Sequence, residues 1–218
     1  MNNSKWETRV FTSDLSLERD EETGRIHGRP IVYDVPADLG VFVEYIDRDA
    51  LNGANLTDVR LCLNHDTDYV YARSRRNNAN STMQLNPNEK GMDIDATLAI
   101  GKSARHMDLY TAIEREDMDK MSFMFRVADD EWIGLDTEKP VRHIKKIESV
   151  LEVSVVTFPA YQQTFVEIEA DARQALENAR SALERARQQK ATPLESGTDI
   201  ELLKARNQNI IKLLGGKS

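Results

Sequence analysis

Short runs with every second residue apolar dominate the first three quarters of the chain, and a helical spacing replaces them after that. Arg25–Val35 follows the turn-like Glu22-Thr23-Gly24 and carries Ile26 and Ile31–Tyr33, interrupted by Gly28 and Pro30. Val41–Ile46 is a second β-rich run, and Asp47–Leu51 is expected to be a helical turn. Val59–Leu63 alternates, with Val59, Leu61 and Leu63 on one face and Arg60 and Cys62 on the other. Tyr69–Arg76, Thr82–Leu85 and Met92–Ala99 read as further strands, with a turn over Asn86–Gly91. Ser103–Asp117 is the one helical stretch of this region, since Ala104, Met107, Tyr110 and Ile113 recur at three-residue intervals. Met121–Val127 and a long run from Val141 to Phe158, stopped by Pro159, complete the set. Many short strands around few helices predict a mainly β, α+β fold: a curved or closed β-barrel flanked by helices.

The remainder predicts a C-terminal helical arm. Ala172, Leu176, Ala179, Leu183 and Ala186 recur at four and three, a narrow stripe of about two heptads. Lys190–Gly197 reads as a linker, and Thr198-Asp199-Ile200-Glu201 has the form of a capping box opening a last helix. The expected organisation is a domain over residues 1–166, a helical arm over 167–189, a linker over 190–197 and a helix over 198–218.

Charge and composition narrow the function classes. The 218 residues hold 29 Lys+Arg against 37 Asp+Glu, a formal charge of −8. The acidity is uneven: residues 162–218 carry nine basic and eight acidic side chains, so the first 161 residues carry a net −9. Polyanions are bound by clustered Lys and Arg, so direct nucleic-acid binding is not expected. Both Trp, all six Tyr and every Phe except Phe165 precede residue 162, which places the aromatic core there. The single cysteine, Cys62, rules out an intrachain disulfide and suits a reducing compartment. Neither a membrane span nor a signal peptide is expected.

Four local features carry candidate chemistry. His65, in Leu63-Asn64-His65-Asp66 at a strand end, can act as a general base or a metal ligand, and reads equally well as a structural histidine. Ser122 lies opposite Met121, Phe123 and Phe125 by parity, where an ordinary strand serine is the commoner reading. Glu152 interrupts the apolar Leu151–Phe158 run, so its carboxylate needs an edge or a donor. Arg73, Arg75 and Arg76 form a basic cluster that reads as a small anion site or a solvated loop. His27, His65, His106 and His143 include no paired metal-ligand spacing, so no metal and no cofactor are expected.

The order Leu-x-Asn-His-Asp, Gly-Met-Asp-Ile-Asp-Ala, Met-Ser-Phe-x-Phe and Leu-Glu-Val-Ser-Val-Val-Thr-x-Pro-Ala-Tyr resembles the prohead serine proteases of tailed bacteriophages. These are capsid-maturation endopeptidases distantly similar to herpesvirus assemblin. The resemblance covers residues 28–165. It implies that Ser122 is the nucleophile and His65 the general base, 57 positions apart in the chain. Glu152 is the expected orienting acid. His143 is its rival, because assemblin uses a second histidine, and Asp66 is a weaker third option. The implied partners are the major capsid protein and its scaffold segment, the chain itself as substrate, and a second copy as a homodimer. The implied place of action is the assembling prohead in the bacterial host cytoplasm, with the arm directing incorporation. The alternative is a non-catalytic capsid-assembly or scaffolding protein that retains the protease fold.

Overall fold

The computed structural model describes residues 5–12, 15–157 and 170–191. The strands in chain order are β1 (Glu7–Thr12), β2 (Ser16–Arg19), β3 (Gly24–Val32), β4 (Ala37–Asp38), β5 (Val43–Ile46), β6 (Asp58–Leu63), β7 (Ala72–Arg75), β8 (Met83–Asn88) and β9 (Gly91–Leu98). Helix α1 (Ala104–Glu114) leads into two long strands, β10 (Lys120–Ile133) and β11 (Val141–Val156), and α2 (Ala170–Ala191) follows.

These strands make two sheets, and the fold is mainly β with two helices. The larger sheet runs β1-β10-β11-β5-β4, with β6 also paired to β11 and β7 to β6. The smaller runs β2-β3-β9-β8. Strand β11 is the hub: antiparallel to β10, it pairs in parallel with β5 through Val141–Ile144 and with β6 through Glu152–Val155. A hub with three partners makes the sheet branch, and among the described residues the strands close into no barrel. Backbone hydrogen bonds link strand ends at two corners. The Thr82 N–H donates to the Arg73 carbonyl where β7 meets the start of β8, and the Asp34 N–H donates to the Ile46 carbonyl beyond β3.

Burial follows strand parity. Ile26, Met92 and Ile94 of the small sheet and Leu61, Phe123, Phe125 and Val153 of the large one share one core and are fully buried. Leu109, Tyr110 and Ile113 of α1 join it. The expected turn at Asn86–Gly91 is tighter than anticipated, because β8 continues through Asn88. Gly91, at φ 142, has no room for a side chain, since a Cβ there meets the Ile31 carbonyl oxygen at 1.9 Å. Where a helical turn is expected over Asp47–Leu51, the chain forms successive turns (Ala50 N–H to Asp47 O, 3.0 Å).

The large sheet also buries ions in its core. Arg9 of β1, Glu44 of β5 and Arg142 of β11 are almost fully buried together with Glu7. Arg142 Nη1 donates to Glu7 Oε2 (2.7 Å) and Glu44 Oε2 (3.0 Å), and Arg9 Nη2 donates to the same two oxygens at 2.7 Å. Burial raises the Glu7 pKa, but the Arg142 and Arg9 charges outweigh it and bring it down to about 2. Such a cluster tolerates burial only because each charge faces an opposite one.

The first compact unit extends to Leu183. Ala179 and Leu183 of α2 pack with Leu39 and Phe42 in a small cluster of their own. The boundary expected at residue 166 and nearly all of the expected linker and last helix lie outside the described residues.

Candidate active site

The Leu63–Asp66 segment turns sharply as β6 ends. Asn64 and His65 both adopt left-handed backbone angles (φ 50 and 62), and the Asp66 N–H donates to the Leu63 carbonyl at 3.0 Å. Asparagine and histidine are among the side chains that adopt this conformation most readily, and the surroundings hold it in place. They do so from β11. The Asn64 N–H donates to the Val155 carbonyl (2.9 Å), and Asn64 Oδ1 accepts from the Thr157 N–H and hydroxyl, each at 2.9 Å.

The turn folds His65 back over the sheet. Its backbone N–H donates to Ser154 Oγ at 3.1 Å, and its ring Nδ1 lies 2.7 Å from Glu152 Oε1. The other carboxylate oxygen accepts a short hydrogen bond from the Ser154 hydroxyl. Glu152 is fully buried, so its charge depends on these two donors. A carboxylate can only accept, which assigns the proton to Nδ1 and leaves Nε2 as the basic nitrogen.

Ser122 occupies the same face. On β10 it is the direct partner of Ser154, which is in turn the partner of Cys62 on β6. Directly opposed residues point to one face of a sheet, so Ser122, Ser154, Glu152 and Cys62 line up across three strands. The Ser122 hydroxyl donates to the Arg9 carbonyl of β1 at 2.8 Å, on the side away from β11, and the residue is fully buried. No hydrogen bond joins Ser122 to His65. Burial, and after it the Glu152 charge, push the Cys62 thiol up to about 12, so it stays protonated at neutral pH.

The other candidates lie elsewhere. His143 is nine residues from Glu152 along β11, about 30 Å in an extended strand. There its Nδ1 lies 2.7 Å from Asp47 Oδ1 and its ring stacks on Tyr45. Asp66 is exposed and accepts from the Asp68 N–H. Arg73 is engaged by Asp58 (2.6 and 2.8 Å), and Arg75 and Arg76 are exposed. His27 faces Asp95 at 3.5 Å, and His106 Nδ1 accepts the Ala99 N–H. Among the described residues no group of three or more His, Cys, Asp or Glu is arranged to hold a metal ion. Sequence reasoning did not single out Ser154 or Asn64. The Glu-x-Ser spacing of residues 152 and 154 was the available signal, because period-two parity puts both on one face.

The model of the caudovirus prohead serine protease family matches residues 13–179, which include His65, Ser122 and Glu152. The chain belongs to that family. The family is one of capsid-maturation serine proteases, which sets the general class of this chain. No curated protein and no solved structure matches it. No helix among the described residues is long and apolar enough to cross a membrane.

Proposed function

We propose that this chain is a working endopeptidase in which Ser122, His65 and Glu152 act as nucleophile, base and orienting acid. The observation that carries this reading is the His65–Glu152 contact on the face that also presents Ser122. Glu152 holds the imidazole with Nε2 unprotonated and stabilises the imidazolium once it forms. A rotation about χ1 moves the Ser122 hydroxyl from the Arg9 carbonyl toward the β11 side, between two staggered positions. Its oxygen then attacks the scissile carbonyl as Nε2 takes its proton. The tetrahedral adduct collapses as His65 delivers that proton to the leaving amine, and water repeats the sequence on the acyl-enzyme.

On this reading the substrate is the scaffold segment of the major capsid protein, with the chain itself as a second substrate, cleaved within the assembling prohead. Residues 167–218 serve as the packaging arm. The assemblin likeness and a homodimer belong to the same proposal. One observation favours the non-catalytic alternative: Ser122 is buried with its hydroxyl committed to Arg9. A fluorophosphonate probe separates the two. The proposal expects covalent labelling of Ser122, mapped by peptide mass spectrometry and lost in His65→Ala. An unlabelled wild-type chain that is folded and incubated with capsid protein supports the alternative.

A further inference from the structure

Next to the Ser122 face lies a cavity of about 360 Å³, built by irregularities of β11. Strand β11 carries extra residues relative to β10, among them Leu151 between the Met124 and Phe125 partners and Glu148 between those of Arg126 and Val127. Both line the cavity. Bulges of this kind bend a strand and re-aim side chains beside functional sites. Arg60, the direct partner of Glu152, and Arg126, four residues along β10 from Ser122, contribute the basic groups.

Arg126 is held ready but unpaired. Its guanidinium lies over the Trp6 ring, 4.2 Å from the centroid, and its buried Nε has no hydrogen-bond partner. It forms no ion pair among the described residues. The cavity's acids do not satisfy it: Asp58 is taken by Arg73 and Arg60, and Glu148 makes no ion pair with Arg126. A buried guanidinium N–H without an acceptor is costly, and a carboxylate supplies the bidentate acceptor it lacks.

We infer that this cavity is a substrate subsite selecting an acidic side chain, with Arg126 as the residue that reads it. Resting on the peptidase reading, the inference fixes the position as well as the chemistry. Arg126 and Ser122 are about 13 Å apart along one face, so an extended peptide places its acid about four residues from the scissile bond.

The test separates this claim from catalysis by using the full chain with Ser122→Ala. Synthetic ten-residue peptides, each with a single Glu, Gln or Lys placed in turn at every position of an Ala/Ser/Leu background, are selected on the immobilised protein and identified by mass spectrometry. Glu peptides are expected to be retained about tenfold over Gln peptides. Adding Arg126→Gln removes that preference, and adding Arg126→Glu transfers it to Lys peptides, which a misfolded protein does not do. Equal retention of Glu and Gln, or a Glu preference surviving Arg126→Gln, overturns the assignment. Selective retention by Ser122→Ala together with no cleavage of capsid protein by wild type refutes the peptidase reading and leaves only the binding of an acidic side chain by Arg126.

Discussion

Replacing Glu152 with Gln keeps the volume and removes one acceptor, and the surroundings decide which one. Ser154 Oγ already accepts the His65 backbone N–H at 3.1 Å, and its own proton goes to the Glu152 carboxylate. A glutamine at this buried position can offer its oxygen to Ser154 or to His65, but not to both. Turning the amide nitrogen toward Ser154 strands the serine proton in the interior, at about 1–3 kcal/mol. The oxygen therefore faces Ser154, and the NH2 group faces His65 Nδ1. That forces the proton onto Nε2 and removes the base. An acid-to-amide change that imposes the wrong tautomer in a serine protease triad lowers kcat on the order of 10⁴-fold, about 5 kcal/mol of barrier. The assay is single-turnover cleavage of capsid protein followed by gel densitometry. Adding Ser154→Ala to Glu152→Gln releases the amide to turn and recovers about tenfold. A Glu152→Gln chain within tenfold of wild type, or a double variant no faster than the single, refutes this account of the site.

The remaining predictions concern other parts of the molecule. His143→Asn leaves the cleavage rate within about twofold, since the residue sits about 30 Å along β11 from Glu152; a large loss in kcat restores His143 as a candidate. The Glu7 carboxyl is lowered in the fold to about 2, so its stabilisation is complete above its unfolded value, near 4.3, and is lost as pH falls through about 2. Urea melts should show stability falling by about 3 kcal/mol across that interval, and Glu7→Gln should flatten this part of the profile. Leu183→Ala opens the cluster with Leu39 and Phe42 and costs about 2 kcal/mol, read as faster proteolysis of α2; an unchanged pattern means that α2 does not dock there.

Strand positions were legible where parity ran apolar-in and polar-out, as in β3, β6 and β9, because that pattern reports burial directly. Strand β1 was not, since its inward residues Glu7 and Arg9 are ionic and are made tolerable by Glu44 and Arg142, which lie 35 and 133 positions from Arg9. The acidic end of β10 was missed for a related reason: Asp130 is paired with Arg142 across the sheet. Local pattern cannot reveal a partner on another strand. The Glu152–Ser154 alternation and the Asn64-His65 turn were written in local residues. The Ser122 contact with Arg9 depends on β1 and was invisible without it. Of the expected curved or closed barrel, no closure is found among the described residues, because parity fixes which face is buried and leaves open how many partners a strand such as β11 takes.

The most direct test of the central claim is coexpression of the chain with its major capsid protein, comparing wild type with Ser122→Ala by intact-mass spectrometry. Wild type should yield a capsid protein shortened by a terminal segment, and Ser122→Ala should leave it at full length. Equal shortening by both proteins would contradict that claim.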